Sequence, residues 1–165
     1  MFNLATLYRL QGQYTEAELL YRRALSIQEK VSGRENLLAI TCIKGLAVLH
    51  HLRGKYAQAE QFFQQAIDLS EKIEYVGEAD IIRSLADLYL TQGKYAEAEQ
   101  LYQRALSIHE KTYGPDQPGI AVYLHSIGMF FYKKGKYKAN SQRQNHSSSV
   151  PWQSMRILWE RSILR

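Results

Sequence analysis

The side chains able to do chemistry are few and poorly grouped. A transition-metal site needs several imidazole, thiolate or carboxylate ligands converging on one point, and on a helix a histidine pair at i, i+4 is the usual signature. His50 and His51 are adjacent, so on a helix they point about 100° apart, and no i, i+4 histidine pair or Cys/His cluster accompanies them. Cys42 is the only cysteine, so no internal disulfide can form, and its type fits a small buried apolar side chain. His109 and His146 have no nucleophile or carboxylate constellation around them, and the chain contains neither a nucleophile elbow nor a phosphate-cradling glycine loop. These residues predict no metal, no cofactor and no catalytic centre; the chain is expected not to be an enzyme.

Charge gives a second class of chemistry. The net charge of +5 invites a nucleic-acid reading, but the distribution argues against it. Residues 1–132 hold 13 Lys/Arg against 15 Asp/Glu, whereas residues 133–165 hold 8 Lys/Arg and one acid, Glu160. The basic excess, including Lys133, Lys134, Lys136 and Lys138, therefore lies in the last fifth of a chain whose body is near neutral. No recognition motif accompanies it, so nucleic acid is not the expected partner. No apolar run approaches the roughly 18–20 residues that span a bilayer. The opening Met1-Phe2-Asn3-Leu4 lacks the basic and apolar regions of a signal peptide. With one cysteine, a reducing, cytoplasmic setting is expected.

The elements that position these residues follow from self-similarity. Gly-(Gln/Lys)-Tyr occurs at Gly12-Gln13-Tyr14, Gly54-Lys55-Tyr56, Gly93-Lys94-Tyr95 and Gly135-Lys136-Tyr137, the glycines being 42, 39 and 42 residues apart. Apolar residues at helical spacing precede each tripeptide (Leu4, Ala5, Tyr8; Leu85, Ala86, Tyr89). A second helical face follows the first three: Ala17, Tyr21, Ala24, Leu25; Ala59, Phe63, Ala66, Ile67; Ala98, Tyr102, Ala105, Leu106. Each unit is thus a hairpin of helices A and B with a tight turn at the glycine. Helices are predicted over 2–11, 14–30, 36–53, 56–73, 78–92, 95–111 and 118–134. One hairpin cannot bury both its faces, so consecutive hairpins must stack. The expected fold is an all-α superhelical stack of about three and a half repeats, spanning about 1–34, 35–76, 77–115 and an incomplete 116–138.

Over residues 1–138 the pattern resembles the tetratricopeptide repeat. Its small-residue sites match Ala5, Ala47, Ala86 and Gly128 on helix A, and Ala17/Ala24, Ala59/Ala66 and Ala98/Ala105 on helix B. The period exceeds the usual 34 residues. With the stretch RALSIHEKTYGPDQP at 104–118, that length is similar to the kinesin-light-chain class of these repeats. The resemblance implies a protein-interaction scaffold that binds a peptide or partner protein in a concave groove lined by the A helices. The groove positions carried over are Asn3, Thr6 and Arg9; Thr41, Lys44 and His51; Asp80, Arg83 and Asp87; and His125, Met129 and Tyr132. Lys44, Arg83 and His125 form a short basic stripe that favours an acidic peptide; the alternative is three solvated side chains. Asp80 and Asp87 flank Arg83 at −3 and +4, a spacing at which they would neutralise it. Kinesin light chains carry asparagines beside the helix A leucine. Here only Asn3 keeps one, Gly45, Ser84 and Ser126 standing at the others.

Both ends of the array are uncapped, which raises a competing reading: a non-functional or self-associating fragment of a longer array. At the fourth repeat Asn140 replaces the expected alanine, and the Ser/Asn/Gln-rich residues after it predict a basic, weakly structured tail over 139–165. Met155, Leu158, Trp159 and Ile163 have helical spacing that would let them dock on the end of the stack. Reading the codons of Arg143–Leu164 one frame over permits FKRALAINENTLGAEHP, identical at 8 of 17 positions to residues 102–118. The hypothesis that follows is an out-of-frame helix B, and sequencing the locus would test it.

Overall fold

The computed structural model describes residues 2–33, 35–114 and 116–144, with side chains as far as residue 138. The expectations for the tail beyond residue 144, its docking segment and its reading frame included, lie outside the described residues. Seven helices are present among them: α1 (Phe2–Leu10), α2 (Tyr14–Ser32), α3 (Leu37–Leu52), α4 (Tyr56–Lys72), α5 (Glu78–Thr91), α6 (Tyr95–Tyr113) and α7 (Ile120–Gln144). The first six match the periodicity to within two residues at each end. Two compact units divide the chain, Met1–Phe130 and from Phe131 onward.

The turn glycines work as their spacing requires. Gly12, Gly54 and Gly93 have φ of 77°, 71° and 76°, a left-handed conformation that L side chains rarely adopt. At each, the amide after the glycine donates to a carbonyl five residues back (Gln13 N to Tyr8 O, Lys55 N to His50 O, Lys94 N to Tyr89 O, all 2.9 Å), while the glycine amide donates three residues back. This Schellman pairing satisfies the last carbonyls of helix A. Elsewhere Asn36 starts α3, its Oδ1 accepting from Ala39 N at 2.9 Å.

Within the first unit, α1 to α6 pack each on its sequence neighbour, and α1 touches α3 and α3 touches α5. The A helices therefore share one layer, and the B helices α2, α4 and α6 form the other. Ala5 and Ala17 are fully buried in one cluster, Ala47 and Ala59 in a second, Ala86 and Ala98 in a third. α3 lies between α2 and α4 and is buried on two sides, at Ile40, Ile43, Ala47 and Leu46, Leu49, His50.

The seventh helix departs from expectation. A turn was predicted at Gly135, ending the helix near residue 134; instead α7 continues through Gly135 to Gln144. Three residues after the tyrosine, Ala17, Ala59 and Ala98 seat the returning helix against helix A. Asn140 holds that place in the fourth repeat. A glycine inside a helix costs only about 1 kcal/mol, so nothing local forces the turn.

Two glycine substitutions should act with opposite sign. Gly93→Ala meets no steric obstacle but forces alanine to positive φ, and should destabilise by about 1–2 kcal/mol. Gly128→Ala, in open space within α7, should stabilise by about 0.5–1 kcal/mol. Urea unfolding of the two variants measures both.

Candidate partner-binding groove

The A-helix layer carries the groove positions. Thr6, Arg9, Thr41, Lys44, His51, Asp80, Arg83 and Asp87 are half-buried, while Asn3, His125 and Met129 are exposed. Tyr132 belongs to the second unit and is exposed there.

α5 holds the most organised part. Arg83 Nη1 lies 3.2 Å from Asp87 Oδ2 and its Nε 3.7 Å from Asp80 Oδ1, so both aspartates pair with it on one helix face. Each aspartate also accepts a hydroxyl from another helix. Tyr102 Oη of α6 donates to Asp87 Oδ1 at 2.5 Å, and Tyr123 Oη of α7 donates to Asp80 Oδ1 at 3.1 Å. Burial, reinforced by these carboxylates, pushes both phenols well above the ordinary tyrosine value, so both are firm donors. Arg83 is consequently a neutralised member of a network that ties α5 to α6 and α7.

Lys44 is in a different situation. Burial pushes its ammonium below the usual lysine value, Arg83 adds in the same direction and Asp80 opposes. No carboxylate lies within ion-pairing distance of it among the described residues. The stripe expected from the sequence is therefore uneven: a compensated arginine, an exposed His125, and one desolvated cation without a close counter-ion.

Further along the groove His51 Nε2 and Thr91 Oγ1 are 3.2 Å apart. Thr91 also donates its hydroxyl to Asp87 O at 2.9 Å, so the pair links α3 to the backbone of α5. In the first repeat Thr6 Oγ1 donates to Phe2 O at 3.2 Å, leaving it to accept from Tyr21 Oη at 3.0 Å. Gly45 is where the kinesin-light-chain pattern would place asparagine, and a Cβ built there falls 2.6 Å from the Tyr21 ring. The tyrosine of the preceding B helix excludes any larger side chain.

Tyr102 and Tyr123 were not read from the sequence as part of the groove. A signal existed for the first. The residue after the helix A small site and the aromatic of helix B vary together between repeats: Thr6 with Tyr21, Val48 with Phe63, Asp87 with Tyr102. A hydroxyl ring meets a polar partner, and the ring without one meets valine. Tyr123 has no such counterpart.

His50 is buried, stacked on Phe62 at 5.3 Å, and neither ring nitrogen has a hydrogen-bond partner. Glu18 Oε1 is 3.8 Å from its Nε2. Although burial pushes Glu18 upward, its bond to Arg22 and the charges of Arg22, His50 and Arg53 outweigh that and hold its carboxyl low. Among the described residues no three His, Cys, Asp or Glu side chains could hold a metal ion, and no helix is long and apolar enough to cross a membrane.

The family model described as tetratricopeptide repeat matches residues 1–72 and 77–148. The chain belongs to the tetratricopeptide repeat family. Among solved structures, BtubC (BKLC) from P. vanneervenii is similar over 91% of this chain and 65% of its own, with a TM-score of 0.70 and 19% identity. The chain thus spans just under two thirds of that protein. A putative kinesin light chain from Podosopora anserina, with nearly identical TPR-like repeats, aligns over 91% of this chain and 77% of its own (TM-score 0.68, 22% identity). A variant of that same protein aligns over 91% and 76% (TM-score 0.67, 22% identity). At these identities the likeness concerns the fold. No curated protein matches the sequence. Tetratricopeptide folds generally mediate protein–protein interaction and generally serve as scaffolds without enzymatic activity.

The His50 environment predicts a pH dependence of the fold. Burial depresses the imidazole pKa, with Lys55, Arg22 and Arg53 adding to the effect and Glu18 opposing it. A base depressed in the folded state contributes stability that is full above its unfolded value, about 6.5, and is lost as pH falls below it. Between pH 7 and pH 5 the wild type should lose on the order of 1 kcal/mol more than His50→Phe, measured by urea unfolding at both pH values.

Proposed function

We propose that this tetratricopeptide protein holds a peptide or an extended segment of a partner protein along the A-helix groove, and that the segment carries a carboxylate at the level of Lys44. The observation that carries this reading is the state of Lys44: half-buried, held below its ordinary pKa by desolvation, and without a close counter-ion among the described residues. A desolvated cation gains most from an anion arriving in the same low-dielectric groove. The neighbouring network supports the rest. Asp80, Arg83 and Asp87 are mutually neutralised and pinned by tyrosines, which gives a fixed polar floor with hydrogen-bonding capacity for a peptide backbone. His51, Thr41 and Thr6 extend that floor along α3 and α1, and His125 and Met129 continue it on α7. Asn3 and Arg9 lie at the α1 end of the same layer.

The test is affinity capture from source-cell lysate, comparing wild type with Lys44→Glu and with Lys44→Met. Partners held by wild type should be released by Lys44→Glu with at least a tenfold loss of affinity. Lys44→Met should also lose the partner while leaving stability unchanged or raising it by up to about 1 kcal/mol, because it removes a desolvated charge. Capture of the same proteins by all three would refute a role for Lys44.

A further inference from the structure

Four residues before the turn glycine, α3 and α5 carry different rings: His50 before Gly54 and Tyr89 before Gly93. Each ring faces a glutamate of the preceding helix that follows a buried alanine, Glu18 after Ala17 and Glu60 after Ala59. At the α4–α5 contact Tyr89 Oη donates to Glu60 Oε1 at 2.6 Å. Lys94 Nζ lies 4.8 Å from the centre of that ring and 3.8 Å from Glu60 Oε2. Burial and the bond to Glu60 push the phenol up to about 12, so this contact keeps one protonation state through the acid and neutral range.

The shorter imidazole makes no such bond. His50 is 3% exposed, stacks on Phe62 of α4 with ring centres 5.3 Å apart, and neither nitrogen has a hydrogen-bond partner. Glu18 Oε1 stands 3.8 Å from Nε2 and is held by Arg22 at 2.9 Å, while Arg53 holds Glu18 Oε2 at 2.6 Å. Lys55 adds a further positive charge from the turn after α3, and α4 meets the ring with the uncharged Phe62. A proton on His50 therefore enters a buried place where one carboxylate faces three cations. Burial opposes it first, Lys55, Arg22 and Arg53 add to that, and Glu18 acts the other way. A buried charge without its own partner is strongly destabilising, so an imidazolium here must reach water.

We propose that His50 makes the α2–α3 contact an acid-opened joint within the superhelix. On protonation the ring leaves its place against Phe62, and hairpin α1–α2 separates from α3. The α4–α5 contact, where a phenol takes the same place, stays closed. The contribution of neutral His50 is complete above the ordinary imidazole value of about 6.5 and is lost as the pH falls below it. Such a joint needs only α2, α3 and α4, so it acts wherever this hairpin stands in an array. It requires no ligand in the A-helix groove and does not rest on the role given to Lys44.

Hydrogen–deuterium exchange of the full chain at pH 7 and pH 5, corrected for the intrinsic pH dependence of exchange, reads each helix separately. A lone hairpin cannot bury both its faces. Opening of the joint should therefore lower amide protection in α1 and α2 about fivefold at pH 5, while α5 and α6 keep theirs. His50→Tyr gives Glu18 the phenol that Glu60 has, and His50→Phe keeps a ring against Phe62; each should abolish the loss. An equal fall in all six helices of the wild type overturns the proposal. So does a loss in α1 and α2 that persists in either folded variant. A gain of protection there at pH 5 also overturns it, because Glu18 would then be taking up the imidazolium and tightening the contact. Where a variant fails to fold, the comparison between helices of the wild type decides alone.

Discussion

The contact on which the rest depends is alanine against alanine. In each complete repeat the helix A alanine (Ala5, Ala47, Ala86) and the helix B alanine (Ala17, Ala59, Ala98) are fully buried in a shared cluster. With only a methyl group on each side the two helix axes come close, and the neighbouring leucines and aromatics interlock rather than collide. The glycine turn allows the reversal, but the alanine pair makes the reversed position favourable. The fourth repeat separates the two contributions: it keeps the glycine and tyrosine, has asparagine at the alanine site, and α7 does not turn.

Because the hairpins come so close, the ring of the helix B aromatic reaches helix A and the following repeat. Tyr21 presses on Gly45, and Tyr102 reaches Asp87. The A-helix face is thereby wired to the core beneath it. The aspartates of α5 hold Arg83 from one side and buried phenols from the other. Charge at the groove surface follows from packing, and a count of basic residues does not measure it. Lys44 stands apart because no acid occupies the matching places on its own helix: its i−3 and i+4 neighbours are Thr41 and Val48. On α5 the aspartates fall three residues before Arg83 and four after it.

Stacking in a solenoid also makes every repeat's outer face a request for the next one. Leucines buried in α3 and α5 are exposed in α1 because burial belongs to the junction and not to the residue. Identical side chains at equivalent positions thus have different consequences, and the internal repetition makes the comparison within one molecule.

Six helices and the turns that close their hairpins were legible in the residues, because helical periodicity and the glycine C-cap are set within a few residues of chain. The register of the alanines was legible for the same reason, and so was the intrahelical pairing of Arg83 with Asp80 and Asp87. The partners of those aspartates were not, because Tyr102 and Tyr123 lie 15 and 43 residues away and meet them only through the hairpin and the stack. The extent of α7 was also hidden, since a glycine permits a turn without imposing one. The sequence alone therefore determined the repeating unit and the register of its small residues. The tertiary structure decided which charges of the A helices are compensated and which leucines are buried, because both depend on distances between helices.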